Sequence, residues 1–103
     1  MVTTHKKLAG AKYVRYVLES TRLHQVKPSL VMAIMETESA FNPMARSRSN
    51  ALGLMQIKAN TAGRDYFTHI KGYAHTPSSA YFYHPAQNIE IGSGFIAGIS
   101  KHV

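Results

Sequence analysis

The stretch PSLVMAIMETESAF, residues 28–41, decides the reading of the fold. Pro28 fits the first turn of a helix, where a missing N–H costs nothing. Leu30, Val31, Ile34, Met35 and Glu38 continue it at helical spacing, and Pro43 disfavours helix at Asn42, so the helix ends near Phe41. It is apolar nearly all round, which predicts a central, buried helix. Working outward, Lys12 to about Gln25 reads as a preceding helix. Val14, Val17, Leu18 and Thr21 share one face there, with Lys12, Arg15, Glu19 and Arg22 largely outside it. On the other side, Asn42 to Ala51 reads as a polar loop, and Leu52 to about Phe67 as one or two short helices broken by Gly63. Thr68 to Pro85, with Gly72, Pro77, Tyr73, Tyr81, Phe82 and Tyr83, reads as an ordered but irregular excursion. Ala86 to Ile99 is helical again, with Ile89, Gly92, Phe95, Ile96 and Ile99 on one side. Gly92, Gly94 and Gly98 lower its propensity and make sense where another helix crosses closely. The pattern predicts an all-α fold in one unit, residues 1–103.

Composition bounds the function. A chain of 103 residues holds one small domain and excludes a two-domain enzyme within it. With 45% apolar and 10% aromatic residues, wholesale disorder is excluded. There is no cysteine, hence no disulfide framework, thiolate metal site, cysteine nucleophile or lipidated cysteine. The longest apolar run, Leu30 to Met35, is too short to span a bilayer. Met1 to Lys7 carries basic residues with no hydrophobic run after them, so no signal peptide is expected. Twelve Lys and Arg against five Asp and Glu give a formal charge of +7. That excess suits a polyanion: nucleic acid, an anionic membrane surface or a carboxylate-bearing polymer. For nucleic acid, Lys12, Arg15, Arg22, Lys27, Arg46 and Arg48 are the candidates, but no recognised motif accompanies them. His69, His75 and His84 are spread over the irregular segment without a carboxylate partner, and no metal site is expected.

Glu38 is the most informative residue. It falls on the helical face of Leu30 and Ile34, near the carboxyl end of the helix, where the macrodipole is negative. Burial and the dipole both disfavour the ionised form, and a carboxylic acid that keeps its proton is what a general acid needs. The plainer alternative is a boundary glutamate paired with an arginine. Glu36 points to another face and reads as solvated.

Glu38-Ser39-Ala40-Phe41-Asn42-Pro43, followed by Ala51-Leu52-Gly53-Leu54-Met55-Gln56-Ile57, resembles the soluble lytic transglycosylase family, which cuts the glycan strands of bacterial peptidoglycan. Gly53 and Gln56 lie fifteen and eighteen residues after Glu38, as in the family, and the resemblance runs from about Lys12 to about Lys101. The wording of residues 33–39 and 47–56 is most like the membrane-bound lytic murein transglycosylase C branch. The resemblance implies a lysozyme-like (goose-type) helical domain with Glu38 as catalytic acid/base. It also implies Ser39 near the site holding the helix end, Ser47 near the reacting sugar, Gly53 and Leu54 in the second cleft wall, Met55 against sugar faces and Gln56 donating to the glycan. No cofactor or metal is implied. A glycosidase of the usual kind wants two carboxylates, and nothing pairs with Glu38 by local spacing. The resemblance removes that need, because the muramic acid's own acetamido group and C6 hydroxyl take part. Lactyl and peptide carboxylates of peptidoglycan suit the +7 charge. The bacterial envelope, periplasm or outer membrane, is the implied location.

Two departures stand out. The family's third motif, an Ala-Tyr-Asn block expected after the Ile89–Ile99 helix, occurs nowhere in the chain. The carboxyl-terminal part of the domain is therefore expected to be missing, the Glu38 helix to lose cover on one side, and lytic activity of this chain to be weak or absent. A non-catalytic remnant that at most binds glycan is the alternative. His84 stands where related sequences often place a capping aspartate, which weakens that helix start.

Overall fold

The computed structural model describes residues 9–101. The basic stretch Met1 to Lys7 and the side chain of Ile99, expected on the buried face of the last helix, lie outside what it describes. A helical turn at 9–11 precedes α1 (Val14–His24) and α2 (Pro28–Ser39). A small hairpin of β1 (Ala51–Leu52) and β2 (Ile57–Lys58) follows. A helical segment then runs from Ala59 to Lys71, wide-pitched π-helix at Ala59–Gly63 and Phe67–Lys71 with α3 (Arg64–Tyr66) between them. α4 (Ser79–Phe82) and α5 (Pro85–Lys101) complete the chain. α1 packs most extensively on α5, and the core gathers Val17, Val31, Met35, Leu54, Phe82, Ile89 and Ile91, all essentially without exposure.

The helices form about where the sequence predicts, but their buried faces differ. α2 begins at Pro28 as expected, yet it is not buried all round. Only Val31, Met35 and Ser39, one stripe at four-residue spacing, are buried, Met32 and Ile34 pack partly buried beside them, and Leu30 is 44% exposed. In α1 the buried residues are Val17, Ser20 and Thr21, with Tyr13 just before the helix, whereas Val14 and Leu18 are 40% and 48% exposed. Small side chains let α1 sit close to α5. The Thr21 hydroxyl donates to the Val17 carbonyl at 2.6 Å, which removes the cost of burying it.

Residues 51–58 are a hairpin rather than a helix. Leu52 pairs with Ile57 and Ala51 with Lys58, antiparallel, and Gly53 (φ 72°) and Gln56 (φ 52°) turn the chain between them. A short apolar run cannot be assigned to helix or strand by periodicity alone. Gly63 does not break the following helix: it lies under the Phe82 ring, where an added Cβ would stand 2.8 Å from ring atoms. The helical segment therefore extends through Thr68 to Lys71, and only residues 72–78 are irregular. Along α5, Gly92 meets Met55 and Gly94 meets the Tyr66 ring and His24, while Gly98 faces open space. The close crossings thus involve a turn and two rings as well as a helix. α5 starts at Pro85 despite His84, whose carbonyl accepts the first helical bond from the Asn88 N–H at 2.9 Å. No helix among the described residues is long and apolar enough to cross a membrane.

The carboxyl end of α2 is strained. Ala40 (φ 50°) and Phe41 (φ 61°) are both left-handed, with the Ala40 N–H donating to Glu36 and Met35 carbonyls and the Phe41 N–H to Met35. A left-handed non-glycine residue costs about 1–2 kcal/mol. Phe41 offsets its share by burying its ring against Gly10, a contact worth about 1.5–3 kcal/mol. Ala40 is exposed and has no such return. Ala40→Gly is therefore expected to stabilise the chain by about 0.5–1 kcal/mol, read as a higher urea midpoint at unchanged slope.

Candidate functional site

Glu38 stands in the last turn of α2 and is exposed. Among the described residues no hydrogen bond or ion pair reaches its carboxylate, so neither the buried acid nor its arginine-paired alternative is what the fold builds. The reason is register: the stripe of positions 31, 35 and 39 faces the core, with Ile34 at its margin, which turns Leu30 and Glu38 outward. Ser39, one position on, is buried. Its hydroxyl lies 2.7 Å from the Leu54 carbonyl and 2.9 Å from the Met35 carbonyl and donates its one proton between them. This bond ties the end of the Glu38 helix to the turn 53–56. Ser39 thus holds the helix end, and its hydroxyl is spent on backbone rather than open to a ligand.

The turn itself is fixed by a residue the sequence pattern did not single out. Asn88 of α5 is fully buried. Its Oδ1 accepts the Met55 N–H at 2.8 Å, and its Nδ2 donates to the carbonyls of Leu52 (2.9 Å) and Phe82 (2.7 Å). Three backbone groups from two segments are satisfied by one amide. Gly53 is forced by this arrangement, since a Cβ there would stand 2.4 Å from Asn88 Nδ2 and 2.5 Å from the Phe82 carbonyl oxygen. The available sequence signal was an asparagine four residues before Gly92 on the helix, directly before the apolar Ile89.

Leu54 is fully buried in the core. Met55 is only 6% exposed and packs over Gly92, so most of its side chain fills core. Gln56 is half-buried. Its Nε2 donates to the carbonyls of Gly53 (3.0 Å) and Ala45 (3.2 Å), which uses both amide hydrogens. What it offers a ligand is the Oε1 acceptor, the reverse of the donor role expected. Ser47 is half-buried in the loop before β1. Its hydroxyl accepts the N–H groups of Ala51 (3.0 Å) and Ser49 (3.2 Å), and the Arg46 guanidinium braces Asn50 Oδ1 at 2.8 Å. The loop is therefore held beside the hairpin, with Arg46 bridged to Leu52.

A second polar cluster lies where α3 meets α5. The buried Tyr66 hydroxyl donates to Glu90, and Lys71 Nζ stands 3.8 Å from the same carboxylate. Burial, reinforced by Glu90, pushes the Tyr66 phenol well above its ordinary range, and burial with the Glu90 charge raises Tyr81. Among the described residues no three His, Asp or Glu side chains converge on a point that could hold a metal ion.

Comparison with known proteins adds two findings. The family model for the transglycosylase SLT domain matches residues 15–103. Among solved structures, the X-ray structure of an inactive glutamate-to-glutamine mutant of the lytic transglycosylase Slt from Pseudomonas aeruginosa matches with a TM-score of 0.72 and 25% identity over 85% of this chain. The present chain spans 14% of that protein's length.

Two measurements check this geometry. Asn88→Ala removes the side-chain partner of three backbone groups in the core and is expected to cost about 3 kcal/mol or more in a urea titration. The Tyr66 phenol has a raised folded pKa, so its stabilising contribution is full below the unfolded value of about 10 and falls as pH rises above it. Stability should decline above about pH 10, and Tyr66→Phe should remove that part of the decline.

Proposed function

The chain belongs to the transglycosylase SLT domain family, and on that premise we propose that it acts on the glycan strands of peptidoglycan, with Glu38 as its single acid/base. The observation that carries the reading is the Ser39–Leu54 hydrogen bond, which joins the two motif blocks at the foot of Glu38. Within the family, the wording of residues 33–39 and 47–56 favours the membrane-bound lytic murein transglycosylase C branch.

In this mechanism Glu38 donates its proton to the oxygen of the β-1,4 bond between N-acetylmuramic acid and N-acetylglucosamine. The C1–O bond breaks, and the N-acetylglucosamine side leaves with a free 4-hydroxyl. The 2-acetamido group of the muramic acid shares the positive charge at C1. Its C6 hydroxyl then attacks C1 while the Glu38 carboxylate takes the hydroxyl proton, giving a 1,6-anhydro end and restoring the acid. No water is consumed. A strand laid over the end of α2 excludes water from Glu38, the condition under which a glutamic acid works as a general acid. Gln56 Oε1 accepts an N–H or O–H of the sugar, and Ser47 keeps its loop in place beside the hairpin. The net charge of +7 favours a strand bearing lactyl and peptide carboxylates, and the family likeness supports the bacterial envelope, periplasm or outer membrane, as the place of work.

The exposure of Glu38 in the free chain supports a second reading, in which these residues bind glycan without cutting it. Digestion of purified sacculi, followed by mass spectrometry of released 1,6-anhydromuropeptides, separates the two. Slow release that Glu38→Gln lowers by roughly a hundred-fold or more is expected of the enzyme. Co-sedimentation with sacculi without anhydro product would establish the binding-only reading, and release unaffected by Glu38→Gln would end the role given to Glu38.

A further inference from the structure

The segment after Lys71 brings three rings to one place. Phe67 is buried beside the Tyr66 ring at 5.4 Å, and three rings from beyond Lys71 close around it: His75 edge-on at 5.0 Å between centroids, Tyr81 at 5.9 Å and Tyr73 at 6.0 Å. Tyr73 and His75 are themselves neighbours at 6.1 Å. Gly72 (φ 84°) turns the chain so that the Tyr73 N–H donates back to the Phe67 carbonyl at 3.2 Å. The loop is pinned by these contacts, yet Tyr73 keeps 55% of its surface in water and His75 is exposed beside it. Anchoring alone would favour burying the tyrosine ring. A large ring left half in solvent on a fixed backbone is a preordered contact that a ligand need not organise.

The chemistry of the patch selects its occupant. An aromatic face carries negative quadrupole charge and attracts polarised C–H bonds, which the faces of a β-linked pyranose present in a row. The exposed side chains of His69 and Lys71 lie on the preceding turn, Lys71 being shared with Glu90, and they match a strand that carries carboxylates. We infer that Tyr73 and His75, backed by Phe67 and Tyr81, form a platform on which a sugar ring of a β-1,4-linked glycan stacks. The platform rests on the glycan reading above but stands on different elements from Glu38. It would hold the strand at a second point and leave the chemistry to α2.

The test is an NMR titration of the full chain with chitohexaose, a neutral β-1,4-linked N-acetylglucosamine hexamer, repeated with Tyr73→Ala and Tyr73→Phe. Ring resonances of Tyr73 and His75 should shift and saturate in the wild type. Tyr73→Ala should weaken binding roughly three- to ten-fold, and Tyr73→Phe, which keeps the ring, should bind as the wild type does. Silent ring resonances at saturation, equal affinity for Tyr73→Ala, or equal losses for both variants would overturn the platform. The wild-type ring shifts decide the matter even if Tyr73→Ala folds poorly. Shifting rings with no anhydromuropeptide release would remove the reaction and leave the platform. Release with silent rings would do the reverse.

Discussion

One buried amide organises the site. Asn88 holds the Met55 N–H and the Leu52 and Phe82 carbonyls at once, and so fixes the turn 53–56 against α5. Leaving any of these backbone groups unpaired in the core costs about 1–3 kcal/mol, so the turn has little freedom to rearrange. Ser39 then carries that fixity across to α2 through the Leu54 carbonyl. The position of Glu38 is therefore set from across the core, by a fully buried residue fifty positions along the chain. Neighbouring residues obey the same constraint. Gly53 has no space for a side chain, Gly92 yields its surface to Met55, and Gln56 bends to a left-handed backbone to aim its amide hydrogens at two carbonyls.

Five non-glycine residues among the described ones are left-handed: Gln25 ends α1, Ala40 and Phe41 follow α2, Asn50 precedes β1 and Gln56 precedes β2. Backbone hydrogen bonds hold Ala40 and Phe41 in place, and the side-chain amide of Gln56 bonds two carbonyls. The turn's interior is committed to packing, whereas Glu38 is exposed and Gln56 keeps an acceptor oxygen that neither of its two amide hydrogen bonds uses.

Much of this was legible in the sequence, and the failures share a cause. Pro28 and Pro43 bracket α2, and the fifteen-residue spacing from Glu38 to Gly53 marks the site before any geometry is known. Helical periodicity, however, says which residues share a face and not which face meets a partner. α1 buries Ser20 and Thr21 and leaves Val14 and Leu18 outside because small residues permit a close crossing on α5. α2 turns Glu38 outward because Val31, Met35 and Ser39 take the core side. The hairpin at 51–58 was invisible because two-residue strands carry too little pattern to outweigh helical spacing. Asn88 escaped notice because its role lies in satisfying distant backbone, which no local spacing announces.

The most direct test of the account is a crystal structure of Glu38→Gln with a muramic-acid-containing tetrasaccharide cut from peptidoglycan. The predicted result puts a glycosidic oxygen at hydrogen-bond distance, about 2.6–3.2 Å, from the residue 38 amide, with a sugar N–H or O–H directed at Gln56 Oε1 and the Asn88 bonds intact. A tetrasaccharide seated elsewhere, or one bound only after the turn 53–56 had moved off Asn88, would contradict it.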